Sequence, residues 1–115
     1  MRLVTLHLHT VLPIGEELNA DNAPTLAQTG RQALAAATTH LVLDMAATTF
    51  VSVAGLRMLL DLLKHARQAG KTVSIAGLRH EARLVFDLTG ADRLFTHFPT
   101  VEAAFALEQD LERYA

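Results

Sequence analysis

Residues 41–56 have the sequence LVLDMAATTFVSVAGL, and this stretch decides the fold. Residues 41–43 form a short, uninterrupted apolar run, which is typical of a strand that is buried on both faces. Asp44 stands at the carboxyl end of this strand, and a loop follows over residues 46–51. Ser52 is a good helix cap, so we expect a helix to begin directly after it. The stretch therefore predicts a strand, a short loop and a helix in succession.

The sequence after residue 52 continues to alternate between helices and strands. The predicted elements are a helix over 53–69, a strand over 72–76, a helix over 80–88, a strand over 94–98 and a final helix after residue 100. Gly70 and Gly90 follow the first two of these helices, as helix-terminating glycines do. Thr100 is placed to cap the final helix, whose apolar positions are Val101, Ala104, Phe105, Leu107 and Leu111.

Upstream, residues 4–9 alternate strictly between apolar and polar side chains. A period of two predicts a half-buried strand, antiparallel or at an edge, with His7 and His9 on its solvent face. The elements that follow are a poorer strand over 10–18 broken by Pro13 and Gly15, a turn over 19–22 and a helix over 23–37 with Pro24 in its first turn. The element order is therefore ββαβαβαβα.

This order predicts an α/β fold: a mixed, mostly parallel sheet of four to five strands with about four helices packed on it. The 115 residues are enough for one domain, and we expect it to span residues 1–115. Half of the residues are hydrophobic and 19% are charged, so the chain can bury a core. A formal charge of -2 argues against a nucleic-acid partner, because proteins that bind nucleic acid usually carry a basic patch.

Composition also limits the chemistry that the chain can perform. There is no cysteine, which excludes disulfides, thiol catalysis and cysteine-ligated metals. No apolar run is long enough to span a membrane and the first residues do not resemble a secretory signal, so we expect a cytoplasmic location without direct membrane insertion. The sequence has no P-loop, no dinucleotide-binding glycine motif, no nucleophile elbow and no HExxH motif. We therefore expect no enzyme activity, no catalytic residue and no cofactor.

Two sites in the sequence have a functional and a structural interpretation. His7 and His9 lie on one side of the predicted strand, where they could contact a metal, but two polar side chains on a solvent face explain them better, and no metal site is expected. The helix start at Ser52 could hold an anion, since free backbone N–H groups and the helix dipole point there. The structural interpretation is that Ser52 caps the helix and Gly55 lets it pack close to the strand.

The same stretch resembles the STAS domain of bacterial anti-sigma factor antagonists. The signature of that family is a hydrophobic strand ending in Asp, a loop with Phe, and Asp-Ser-Ser-Gly-Leu at the start of a helix. Residues 41–44, Phe50-Val51, Gly55-Leu56 and Leu59-Leu60 match this pattern. Later segments are also similar to the family: residues 69–77, residues 85–95 and residues 98–107.

The resemblance implies a protein-interaction domain that binds an anti-sigma factor with an ATP-binding kinase fold and thereby frees a sigma factor. In phosphorylatable members the kinase modifies the first serine of the signature, which ends the interaction. Here the Asp-Ser-Ser of the signature is replaced by Ser52, Val53 and Ala54, so Val53 occupies the acceptor position. No phosphorylation is expected, and Ser52 is a weaker alternative acceptor that requires a shifted alignment.

The face expected to bind the partner consists of the loop before the 53–69 helix, the first turn of that helix and the 19–22 turn. The residues singled out on it are Asn19, Asp21, Ser52, Val53, Ala54, Gly55, Leu56 and Arg57. Other functions stay open for the same fold. The chain could be a scaffold or stress-complex subunit that associates with other STAS proteins or with itself as a homodimer. It could also be a small-ligand sensor or a soluble subunit of a membrane transporter.

Overall fold

A computed structural model of the chain describes residues 4–6, 9–36 and 38–106, with the backbone alone for residues 4–6. The strands are β1 (Val4–Leu6), β2 (His9–Pro13), β3 (Glu17–Leu18), β4 (His40–Asp44), β5 (Phe50–Val51), β6 (Thr72–Ala76) and β7 (Thr96–Phe98). The α-helices are α1 (Ala23–Ala35), α2 (Val53–Gln68), α3 (His80–Thr89) and α4, which begins at residue 101 and is described through residue 106. A short 3-10 helix covers Ala91–Leu94.

The main sheet has five strands in the order β1-β2-β4-β6-β7. Only β1 is antiparallel to its neighbour, and the pairs β2–β4, β4–β6 and β6–β7 are parallel. The central strand is β4, and its residues Leu41, Val42 and Leu43 are fully buried. The predicted α/β fold, a mostly parallel sheet with four helices, is thereby confirmed.

Helices cover both faces of this sheet. On one face α1, α2 and α3 bury a large apolar core that includes Leu12, Leu59 and Phe86. On the other face α4 covers a smaller cluster, in which Ala104 packs over Val42. Thr100 caps α4 as expected, because the backbone N–H of Ala103 donates to its Oγ1 over 3.0 Å. Pro24 lies in the first turn of α1, but Asn22, the residue before that helix, makes no side-chain cap bond. Leu107 and Leu111 lie outside the described residues.

The predicted antiparallel edge strand is present as β1, but its predicted extent over residues 4–9 is wrong, because His9 belongs to the next strand. His9 opens β2 and pairs with Leu6 of β1. Its side chain is only 1% exposed, so it is not on a solvent face. Instead the imidazole packs edge-on against His40, with ring centroids 4.5 Å apart, and 5.3 Å from the ring of Phe105. The helix α4 therefore covers a face that the alternation suggested was open. His7 lies outside the described residues.

Three other predicted boundaries differ from the structure. The stretch 10–18 contributes to two sheets, because β3 leaves the main sheet and pairs in parallel with β5. The predicted loop over 46–51 consequently ends in a strand, with Leu18 opposite Val51. The predicted strand over 94–98 begins only at Thr96, because a turn of 3-10 helix precedes it. Within the described residues, no helix is long and apolar enough to cross a membrane.

Two glycines allow helix α2 to lie unusually close to its neighbours. A Cβ atom on Gly55 would be 2.6 Å from the backbone oxygen of Leu18 and 2.6 Å from its Cγ. A Cβ atom on Gly30 of α1 would be 2.9 Å from Cδ1 of Leu62 in α2. The two contacts differ in kind, because a side-chain tip can move aside and a backbone oxygen held in a sheet cannot.

We predict that Gly55→Ala lowers the free energy of unfolding by about 1–3 kcal/mol, the usual cost of overpacking. Alanine forms helices better than glycine by about 1 kcal/mol, so helix propensity alone would make the variant more stable than wild type. Gly30→Ala is the matched control, and it lowers the free energy of unfolding by less, because the Leu62 methyl groups can shift. Urea unfolding of the three proteins measures both changes. A Gly55→Ala protein as stable as wild type would contradict the close packing of α2 on β3.

Candidate functional site

The two segments predicted to bind a partner are brought together by the small parallel sheet. Strand β3 leads directly into the 19–22 turn, and β5 leads directly into α2. Because the strands run in parallel, both segments leave the same end of this sheet. The backbone N–H of Ser52 donates to the carbonyl oxygen of Leu18 over 2.8 Å, which extends the pairing to the first residue before α2. Asn19 and the start of α2 are therefore neighbours.

Ser52 caps α2, as the spacing favoured. Its backbone is extended, with φ -84 and ψ 167, and its Oγ accepts a hydrogen bond from the backbone N–H of Gly55 over 3.0 Å. Its carbonyl oxygen accepts from the N–H of Leu56 over 2.9 Å. Such a cap typically contributes about 1 kcal/mol to the stability of a helix. The Ser52 hydroxyl therefore has a structural role at the helix start.

The 19–22 turn is held by its own two asparagines. The Oδ1 atom of Asn19 accepts from the backbone N–H groups of Asp21 (3.0 Å) and Asn22 (3.1 Å). In return, Oδ1 of Asn22 accepts from the N–H of Asn19 over 2.9 Å, and its amide nitrogen donates to the carbonyl oxygen of Glu17 over 2.6 Å. The side chain of Asp21 stays exposed at the tip of this ordered turn.

Hydrogen bonds hold the loop between β4 and β5 against the segment that precedes β3. Thr48 is fully buried, and its Oγ1 donates to the carbonyl oxygen of Gly15 over 2.6 Å. The N–H of Thr49 donates to the carbonyl oxygen of Glu16 over 2.8 Å. At the carboxyl end of β4, Oδ1 of Asp44 accepts from the N–H of Ala46 over 3.1 Å. The backbone around the start of α2 is therefore fixed by hydrogen bonds.

The structure sorts the eight predicted partner-binding residues by exposure. Val53 has 68% of its side chain exposed, and Asp21, Ala54 and Arg57 are exposed as well. Asn19 and Ser52 are half-buried and take part in the hydrogen bonds above. The remaining two, Gly55 and Leu56, are buried beneath the surface and can act on it only by positioning α2.

Two features of this surface were missing from the predicted set. Phe50 of β5, three residues before the start of α2, is 51% exposed. A groove of about 310 Å³ lies between α1 and α2, and its lining is mostly small or apolar: Ala20, Ala23, Pro24, Ala27, Arg31, Ala54, Arg57, Met58, Asp61 and Leu62. The alanines of α1 at helical spacing could have indicated this groove, since small side chains leave space between two helices.

The charges around the groove are mixed. Arg31 and Arg57 bring positive charge, and Asp61 brings one negative charge. Within the described parts of the chain, no three His, Cys, Asp or Glu side chains are grouped as metal ligands would be. Exposed apolar residues, Phe50 and Val53, and the charged residues of the groove are the two kinds of group that protein contacts combine.

Residues 1–104 of the sequence match the STAS domain family. A comparison with curated proteins finds no match. Among solved structures, the chain is similar to an anti-sigma factor antagonist from Mycobacterium paratuberculosis, with 23% identity, a TM-score of 0.81 and coverage of 92% of this chain and 90% of that one.

Two further structures share the fold at lower identity. The Bacillus anti-sigma factor antagonist SpoIIAA in its unphosphorylated form has 15% identity and a TM-score of 0.81, with 95% of this chain and 96% of that chain covered. A chain of the stressosome, a signal integration and transduction hub, has 18% identity and a TM-score of 0.79, with 97% and 99% covered. Identities this low show the fold alone. Together with the match over residues 1–104, they establish that the chain belongs to the STAS domain family.

Proposed function

We propose that this STAS domain is a non-catalytic regulatory protein that binds an anti-sigma factor with an ATP-binding kinase fold and thereby releases a sigma factor. The observation that carries the proposal is Val53, an apolar side chain 68% exposed at the first residue of α2. Val53 stands where the antagonists have their phosphorylatable serine, in the alignment anchored on Phe50 and Gly55-Leu56.

The exposed apolar side chains favour contact with a protein. Phe50 and Val53 leave apolar area in water, and removing it from water contributes roughly 25 cal/mol per Å² before the costs of association are subtracted. The backbone beneath them is already ordered by the Ser52 cap and the Thr48 contact, so little conformational entropy is lost on binding. A rigid apolar surface of this kind suits a lasting association with a partner.

The proposed association is not switched by phosphorylation, because valine has no hydroxyl group. A phosphoserine at the start of α2 would add about -1.5 to -2 charges to the contact surface. Ser52 is the weaker alternative acceptor, since its hydroxyl is engaged with Gly55. Thr48 is fully buried and donates to Gly15, which removes it from the reach of a kinase.

A second candidate function is that of a scaffold subunit that associates with other STAS proteins. It is supported by the likeness to a stressosome chain, in which 97% of this chain and 99% of that one are covered. The same apolar surface would then face another STAS domain. The two candidate functions predict different binding partners, and recovery of the partner from native lysate distinguishes them.

Val53→Asp is predicted to weaken partner binding at least about tenfold, because an unpaired charge would be buried at the contact. The matched control is Gln68→Asp, which places the same charge at an exposed residue at the far end of α2. The three proteins are used as bait in native lysate, and the retained proteins are identified and quantified by mass spectrometry.

The proposal expects a kinase-fold anti-sigma factor with wild type and Gln68→Asp, and little of it with Val53→Asp. Equal recovery of this partner by Val53→Asp would contradict the proposed surface. Recovery of STAS proteins in place of an anti-sigma factor would support the scaffold function instead.

The absence of a hydroxyl group at Val53 leads to a second prediction. With the recovered anti-sigma kinase and ATP, wild type takes up no phosphate at the start of α2, whereas Val53→Ser is phosphorylated at position 53 and released. Intact-mass analysis and peptide mapping measure the modification. The double variant Ser52→Ala with Val53→Ser is the control, and it is expected to be modified like the single variant. Phosphorylation of wild type at Ser52 would show that the shifted alignment is the right one.

A further inference from the structure

The outer face of α3 presents two leucines that the fold does not use. Leu84 and Leu88 lie one helical turn apart, with 60% and 78% of their side chains exposed. On the opposite side of the same helix, Ala82 and Phe86 are fully buried in the core. Side chains at this spacing form a ridge that can pack against another helix. Leu94, in the following 3-10 helix, adds a third exposed leucine at 45%.

Two opposite charges flank this leucine ridge. Arg83 and Asp87 are exposed and also lie one turn apart along α3. In the described part of the chain the ion pair that forms joins Arg79 to Glu81, over 3.1 Å, and neither Arg83 nor Asp87 takes part in one. Within a single helix a basic residue ahead of an acidic one is the poorer order, because both charges oppose the helix dipole.

Glu81, the other acidic residue of α3, already has an ion-pair partner in Arg79. The backbone N–H of Glu81 and the Arg79 side chain lower the pKa of the Glu81 carboxyl, so that group stays ionised and paired with Arg79. On α3 itself, the Asp, Glu, Lys and Arg side chains outside this ion pair are Arg83 and Asp87. One is positive and one is negative, so the face is complementary to a second copy of itself when the two helices run antiparallel.

We propose that the outer face of α3 binds a second copy of this chain about a two-fold axis. In the antiparallel arrangement Leu84 packs against Leu88 of the second copy, and Arg83 lies beside Asp87 of the second copy. The two-fold symmetry forms each of these contacts twice. A depression of about 190 Å³ adjoins Leu84 and receives the incoming leucine; it is lined by His80, Glu81, Arg83, Leu84 and Asp87.

The pairing also corrects the unfavourable order of charges within each helix. Asp87 of one copy approaches the N-terminal half of the other α3, where negative charge is stabilised. Because α3 has only 10 residues, the contact is smaller than the roughly 800 Å² per partner of a standard interface. The dimer is therefore weak and reversible. The leucine ridge is on α3 and Val53 is on α2, so different substitutions address the two proposed contacts.

A charge-swap experiment tests the arrangement on the full-length protein. The dissociation constant of the dimer is measured by sedimentation over a concentration series that extends to millimolar. Arg83→Asp and Asp87→Arg are each expected to raise it at least about tenfold, because each substitution places two pairs of like charges at the contact. The double variant that exchanges both charges restores the opposite pairs and returns the constant to within about threefold of wild type.

Leu84→Asp tests the apolar part of the contact and is expected to weaken the dimer at least about tenfold. Its side chain is exposed, so an unchanged circular dichroism spectrum and melting curve are expected. Val53→Asp is the control for the other surface and should dimerise like wild type. Three results would overturn the proposal: a wild-type monomer at all concentrations, an unaffected Leu84→Asp dimer, or charge swaps whose combination is no better than the single changes.

Discussion

The parallel pairing of β3 with β5 is the constraint on which the candidate surface depends. Each strand has two residues, too few for a stable sheet alone, so helix α2 must hold the pair in place. It does so because Gly55 has no side chain and α2 can rest directly on Leu18. The N–H of Ser52 donates to the carbonyl oxygen of the same Leu18. One residue of β3 thus fixes both the start of α2 and the turn that follows β3.

This constraint explains how an apolar side chain can be presented to solvent in a fixed position. Val53 is 68% exposed, so the fold buries little of its apolar surface. The residues on either side of it are held in place by the helix cap at Ser52 and by the pairing of β3 with β5. A partner that buries Val53 meets a surface that needs little rearrangement. The leucines of α3 are also exposed, but their flanking charges complement a copy of the same helix. The domain therefore presents two surfaces of different character on one scaffold.

The elements that could be predicted from the sequence are those whose burial imposes a period on many residues. The apolar run of β4 and the stripe of α2 are of this kind, and the cap at Ser52 follows from its position before that stripe. The pairing of β3 with β5 could not be predicted, because strands of two residues carry no hydrophobic period and the pairing joins segments far apart in the chain. The residues of β3 lay within the strand predicted over 10–18, and those of β5 within the predicted loop over 46–51. The burial of His9 was missed for a related reason: alternation identifies two faces but not which of them a distant helix covers. Val53 was singled out by the family resemblance, while its exposure came from the structure.

The measurement that tests this account most directly is native-state hydrogen exchange at the amides of Thr49 and Ser52, followed by NMR. These amides donate to the carbonyl oxygens of Glu16 and Leu18, the contacts that hold the loop and α2 against β3. If the surface is preformed, both amides exchange about as slowly as those of the central strand β4. Exchange as fast as that of the exposed residue Ala20 would mean that β3 and β5 separate readily, and would contradict the rigid surface from which the function has been argued.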